Sequence, residues 1–350
     1  MYTPDQPLED TDAPSGKSKI AILFSGGLDC TVIARLAHEA LPPNEPIDLL
    51  NVAFENPRVL EARANDLAAP KKSKTRIKNS GIPPGEFSTE DTPASVSTAT
   101  SILVDPYSIC PDRITCLSSF RELQKTCPTR KFNLILINVP LTETLSHRRS
   151  VISLIHPHNT EMDLSIALAF YFASRGQGIL YTSDSPQDST FYNTPARILL
   201  SGLGADELFA GYARHRTAFL RSGYSALISE LLLDVGRLGK RNLGRDDRVI
   251  SQWGKEGRYP YLDECVVAWT LAQPVWAKCD FDAPSPGGQS GEIVGDGLEG
   301  GKKVLRLVAQ MLGMYGVARE TKRAIQFGAR TAKMESNPGG GRVKGTRILS

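Results

Sequence analysis

A buried strand that runs straight into two glycines and an acid leaves a chain few folds to choose from. Lys19–Phe24 (K-I-A-I-L-F) is a compact apolar run, and Ser25-Gly26-Gly27-Leu28-Asp29-Cys30 follows it at once. Thr31–Ala40 then carries Val32, Ile33, Leu36 and Ala37 at helical spacing. Strand, glycine turn and helix in that order predict one unit of an open, mostly parallel α/β sheet. Two glycines let the backbone turn tightly and point successive N–H groups outward, and the helix adds the positive end of its dipole. Such a turn suits a phosphate or pyrophosphate. An acid inside an anion-binding loop makes sense when a divalent cation bridges it to the phosphates, so Asp29 is a candidate Mg²⁺ ligand. No Lys follows the glycines, as a Walker loop requires, and the turn is not G-x-G-x-x-G. The plainer reading is a strand–turn–helix joint capped by Ser and Asp.

A second stretch repeats the design. Leu199-Leu200-Ser201-Gly202-Leu203-Gly204-Ala205-Asp206-Glu207 again passes from a strand, through glycines, to paired carboxylates. Strand carboxyl ends of an α/β sheet converge on one crevice, which puts Asp29 and Asp206 within reach of a shared Mg²⁺. The competing reading of Asp206 and Glu207 is a solvated first helical turn favoured by the dipole.

Further strands are expected at Ile47–Phe54, Phe132–Val139 and Arg197–Leu200, and a core-facing helix at Glu161–Ser174. Between Asn56 and Ser101 stand five Pro and eleven Ser/Thr, and Asp282–Gly301 holds seven Gly and two Pro. Both read as disordered insertions. The expected organisation is a tail over residues 1–17, one domain over residues 18–336 and a frayed tail over residues 337–350.

Composition narrows the class. With 41% apolar residues and a net charge of +3 the chain is neither disordered nor a dedicated nucleic-acid binder. No apolar run reaches the ~18–20 residues that span a bilayer, so no membrane partner is expected. Six cysteines without C-x-x-C pairs read as reduced thiols, hence a cytoplasmic protein. His156-Pro157-His158 lacks the further ligands of a metal site and reads as structural, as do Trp253, Trp269 and Trp276.

S-G-G-x-D-[SC] followed by S-G-x-G-A-D-E-x-x-x-G-Y resembles the synthetase domain of the asparagine synthetase family, an ATP pyrophosphatase of the PP-loop type. Arg258-Tyr259-Pro260-Tyr261-Leu262-Asp263 resembles that family's R-x-P-[FY]-L-D element, and Lys303-Val304-Leu305-Arg306 its K-x-x-L-R helix. Lys322-Arg323-Ala324-Ile325-Gln326-Phe327-Gly328 resembles the basic segment that closes the site. The resemblance runs from about Lys19 to Glu335. It implies a sheet of the adenine nucleotide alpha hydrolase-like type with a helical C-terminal lobe. By the same resemblance Ser25, Gly26, Gly27, Asp29 and Cys30 hold the pyrophosphate of ATP, while Leu23, Val52, Ser201 and Gly202 line the adenosine pocket. Asp29 and Asp206 hold Mg²⁺. Lys322, with Arg323 as its rival, neutralises charge in the transition state, and Arg258 and Asp206 join it as catalytic candidates. The implied reaction adenylates the side-chain carboxylate of aspartate for attack by ammonia.

Three departures bear on this expectation. Cys30 stands where the family carries Ser, and a thiol is the weaker hydrogen-bond donor. Leu203 replaces an acid, which removes a group able to handle a proton or a substrate. No N-terminal glutaminase fits before Ser25, so nitrogen is expected as free ammonia or from a separate glutaminase subunit, unless the chain is a fragment or the activity is lost. The alternatives are a non-catalytic nucleotide-binding protein and another PP-loop carboxylate-activating enzyme.

Overall fold

The structure is a computed structural model that describes residues 16–68, 105–182, 190–281, 297–332, 334 and 345–349. Seven strands form one sheet: β1 (Ile20–Leu23), β2 (Ile47–Phe54), β3 (Phe132–Val139), β4 (Gln177–Leu180), β5 (Thr190–Asn193), β6 (Ile198–Leu200) and β7 (Glu256–Arg258). Their order is β5-β4-β3-β2-β1-β6-β7. The run from β3 to β7 is parallel, and β4 and β5 add an antiparallel edge. The strand order reverses at β1, which has β2 on one side and β6 on the other. Such a switch point opens a crevice beyond the strand carboxyl ends.

Burial on both faces explains why the central strands are mostly apolar, with Asp48 and Asn51 of β2 and Asn133 of β3 as buried polar exceptions. Ile47 and Leu49 of β2 join one core, with Phe120, Leu123 and Leu305; Leu50, Val52 and Phe54 join the other, with Leu164, Phe172 and Val249. α1 (Leu28–Ala40), α2 (Pro57–Ala68) and α3 (Pro111–Thr126) follow the first two strands, and α4 (Leu141–Ile155) and α5 (Glu161–Arg175) follow β3. α5 begins at Thr160, whose hydroxyl accepts from Asp163 N–H, and ends at Gly176 in the left-handed region.

The remaining helices build the C-terminal lobe: α6 (Ala205–Leu208), α7 (Ala213–Leu238), α8 (Gly244–Ser251), α9 (Glu264–Ala272), α10 (Val275–Lys278), α11 (Lys303–Met311), α12 (Tyr315–Ala318) and α13 (Ile325–Gly328). α7 kinks at Ser222–Gly223, where Gly223 has φ 65°. The fold is thus α/β with a mostly parallel sheet of the PP-loop type. No helix among the described residues is long and apolar enough to cross a membrane.

Three loop expectations need correction. The stretch after Asn56 opens as α2, and only residues 69–101 of it lie outside the described residues. The end of the glycine-rich stretch is packed: Leu298 is buried and Asp280 N–H donates to Gly300 O at 2.9 Å. The C-terminal tail is docked where it is described. Glu161 and Met162 N–H, orphan donors at the start of α5, donate to Arg347 O and Gly345 O, each at 2.9 Å. Residues 1–15 lie outside the described residues.

Candidate functional site

The first glycine turn joins β1 to α1. Gly26 takes φ 81°, and a Cβ there would lie 2.4 Å from Cys116 Cα, so only glycine lets the turn rest on α3. Ser119 Oγ locks it by donating to Gly26 O at 2.6 Å. Ser25 Oγ accepts from Gly27 N–H at 3.4 Å and lies 3.6 Å from Cys30 Sγ. Burial pushes the Cys30 thiol up and keeps it protonated, so it donates to Gly27 O rather than repelling an anion. Gly27 is the N-cap of α1, and no side chain caps that helix. Ser25 and Asp29 therefore make no cap bond to α1, and the first N–H groups of the helix are left without a side-chain acceptor among the described residues.

The second turn joins β6 to α6 and abuts the first. A Cβ on Gly202 would stand 2.9 Å from Asp29 Cβ. Lys302 closes the pair: its ammonium lies 2.6 and 2.8 Å from the two carboxylate oxygens of Asp29 and 2.7 Å from Asp206 Oδ1. Lys322 Nζ takes the other oxygen of Asp206 at 2.6 Å. Burial works to raise the Asp206 carboxyl, yet Lys302 and Lys322 hold it down at about 2. Burial likewise opposes the charge on Lys302, but Asp206 and Asp29 raise its affinity for the proton well above the ordinary value. Gly211 makes room for the cluster, because a Cβ there would fall 2.0 Å from Asp206 Oδ1 and 2.2 Å from Lys302 Cε. Glu207, which also lines the cavity described below, accepts from Tyr212 Oη at 2.6 Å and Asn242 Nδ2 at 3.1 Å, and burial pushes its carboxyl up.

A cavity of about 360 Å³ opens over both turns. Leu23, Ser25, Gly27, Asp29, Cys30, Val52, Ser201, Gly202, Asp206 and Lys322 all line it, as does Leu203. Met162, Ile166 and Phe170 of α5 form an apolar wall, and Arg214, Arg237, Arg241 and Arg245 border it. Arg245 is anchored by Asp163 and Asp246, and Arg214 by Asp234.

Two expected residues are not in this set. Gly26 shapes the turn from behind. Arg258 lies on the edge strand β7 with its side chain 62% exposed, pairs with Glu256 at 2.7 Å and does not line the cavity. A third correction is one of register. Lys303 does not line the cavity, whereas Lys302 is buried in it. Counted back from Arg306, a K-x-x-L-R pattern begins at Lys302, so the signal was present in the spacing. Arg323, the rival of Lys322, faces Asp112 at 3.9 Å, an acid that sequence reading did not single out. His158 is held by Ile155 O and Lys240 O, and no group of three or more His, Cys, Asp or Glu side chains placed to hold a metal occurs among the described residues.

No family model matches the chain. Among curated proteins, asparagine synthetase domain-containing protein 1 of Bos taurus is 42% identical over 332 residues, 95% of this chain and 48% of that protein. Its Homo sapiens counterpart is 40% identical over 320 residues, 91% of this chain and 46% of that protein. An asparagine synthetase domain-containing protein of Saccharomyces cerevisiae is 36% identical over 340 residues, 95% of this chain and 51% of that protein. The chain spans about half the length of the curated relatives it matches. Two abutting glycine turns and their cavity-facing carboxylates agree with this breadth of similarity: over 91–95% of its own length, the chain is similar to proteins named for an asparagine synthetase domain.

Proposed function

We propose that the cavity is the active site of an ATP-dependent amide-forming ligase, with aspartate as the acid and ammonia as the nitrogen donor. The observation that carries this reading is the convergence of Asp29 and Asp206 on the single ammonium of Lys302, beside an uncapped helix start. Two carboxylates that meet at one cation fit Mg²⁺ as it is held with nucleotide phosphates rather than in an all-protein cage. Bound there by Asp29 and Asp206, Mg²⁺ supplies charge neutralisation to the pyrophosphate. The chain's own groups do the positioning. Ser25, the Gly27 backbone and Cys30 orient the phosphates, and Leu23, Val52, Ser201 and Gly202 receive the adenosine. Lys302 and Lys322 then offer positive charge where negative charge builds as the carboxylate displaces pyrophosphate. Ammonia arrives free or from a separate glutaminase subunit.

Calorimetry of ATP–Mg²⁺ binding, followed by pyrophosphate release with aspartate and ammonium, tests the reading. Binding with aspartate-dependent release supports it. Leu203 in the cavity wall favours a second reading, a nucleotide-binding protein without turnover. Binding without release across a panel of carboxylates would support that one. Release with another acid would move the substrate and keep the chemistry.

A further inference from the structure

Asp112, in the first turn of α3, lines the cavity and has no part in the roles given above. Its side chain is 9% exposed, and among the described residues its carboxyl accepts no hydrogen bond; Arg323 Nη1 approaches only to 3.9 Å. Three contacts fix its place. Asn51 Nδ2 donates to Phe24 O at 3.0 Å and to Asp112 O at 3.3 Å, which ties the start of α3 to the strand end that feeds the first glycine turn. Gly26 of that turn rests on the Thr115–Cys116 backbone, one helical turn further on. Gly328 of α13 packs over the carboxyl so closely that a Cβ would fall 1.9 Å from Oδ1. The basic segment therefore wraps Asp112 from Arg323 to Gly328.

A carboxyl buried with only one long ion pair costs the fold free energy, and one that faces a cavity is open to a ligand. Burial pushes this carboxyl up to about 7, against the pull of Arg323 and Lys322, the cations that face it. On its own helix Cys110 and Cys116 are pushed up by burial and stay neutral, and Arg113 turns to Asn51 and Asn138. The group is therefore poised to exchange a proton near neutrality. Amide formation needs such a group, because ammonia that has attacked a carbonyl carbon carries one proton too many. Leu203 has none to offer.

We infer that Asp112 is the proton acceptor of the amide-forming step, an assignment that rests on the ligase reading above. The nitrogen lone pair forms the C–N bond to the activated carbonyl carbon, and the Asp112 carboxylate removes one N–H proton. The C–O bond to AMP then breaks with its electron pair on the phosphate oxygen, and Asp112 returns the proton to solvent.

The test separates the two half-reactions in the full chain. Aspartate-dependent exchange of labelled pyrophosphate into ATP reads activation alone, and amide formation from ammonia reads both steps. Asp112→Asn is expected to keep the exchange and to lower amide formation at pH 8 by about 100-fold. Hydroxylamine, whose adduct sheds its proton without help, restores product formation. At constant free ammonia the wild-type rate rises through about pH 7, and Arg323→Gln, which removes the nearest cation, moves that rise to higher pH. The Arg323→Gln profile carries the test if Asp112→Asn fails to fold. Undiminished amide formation in Asp112→Asn, an equal loss of exchange and amide formation, or an unmoved profile in Arg323→Gln each overturns the assignment and leaves the ligase reading standing. Absence of exchange from the wild-type chain with every carboxylate tried overturns both.

Discussion

Lys302 holds a left-handed backbone at φ 56°, which costs a non-glycine residue about 1 kcal/mol, and it buries an ammonium as well. Its two carboxylate partners offset both costs. Lys302→Met removes the shared cation and leaves two acids facing each other, and we expect a loss of about 3 kcal/mol in denaturant unfolding at pH 7. Asp206 sets the acid limb of stability. Its carboxyl falls from 3.8 to about 2 on folding, so its contribution is complete above 3.8 and disappears as pH drops towards 2. The stability deficit of Asp206→Asn should accordingly narrow over that interval, as urea midpoints will show. Asp112 works in the opposite sense. Its carboxyl rises from 3.8 to about 7, so the folded chain binds the extra proton and stability falls as pH climbs between those values. Asp112→Asn should be more stable than wild type at pH 8, with the gain shrinking as pH falls below about 7 and gone near 3.8. The site was legible where spacing repeats a pattern, at Ser25–Cys30 and Ser201–Asp206. Lys302 escaped because the register was set one residue late. Asp112 escaped because a lone acid near a helix start carries no pattern at all.

Among the elements, β2 and β3 were readable to the residue, since burial on both faces leaves a mostly apolar stretch with a sharp end, broken only by Asp48 and Asn51 in β2 and by Asn133 and Asn138 in β3. β4, β5 and β7 were not foreseen. They are short strands of mixed composition, β5 and β7 at the two edges of the sheet and β4 next to one, whose pairing is decided by their neighbours. Arg258 was misplaced for a related reason: a motif reports similarity of sequence, and the strand it lies on presents that side chain to solvent beside Glu256. α5 shows how a remote segment sustains the cavity. Its inner face supplies Met162, Ile166 and Phe170, while its first turn is satisfied by Thr160 and by the carbonyls of Gly345 and Arg347. Thr160→Ala should cost about 1 kcal/mol in thermal or chemical unfolding. Composition alone marked residues 337–350 as frayed, because backbone carbonyls that cap another helix leave no trace in side-chain identity.

At the scale of the molecule, the sheet and the lobe meet through the basic segment between α12 and α13. Lys322 reaches Asp206 on the β6 side of the switch point, and Arg323 reaches towards Asp112 on the β2 side. Both are trypsin sites on a stretch that is partly exposed. If nucleotide occupies the cavity, cleavage after Lys322 and Arg323 should slow in the presence of ATP–Mg²⁺, and limited proteolysis read by mass spectrometry will show whether it does.

The four charges gathered at Asp29, Asp206, Lys302 and Lys322 sum to nothing, and that neutrality governs how the site can load. The resting pocket already carries its own counterions, so bare Mg²⁺ meets carboxylates that are taken and free phosphate meets ammonium groups that are taken. Under the proposed function, a ligand bringing both signs together would exchange partners with the cluster in one move, its metal going to the acids as its phosphates go to the lysines. Loading on that reading would be a paired swap, with the metal and the nucleotide admitted together.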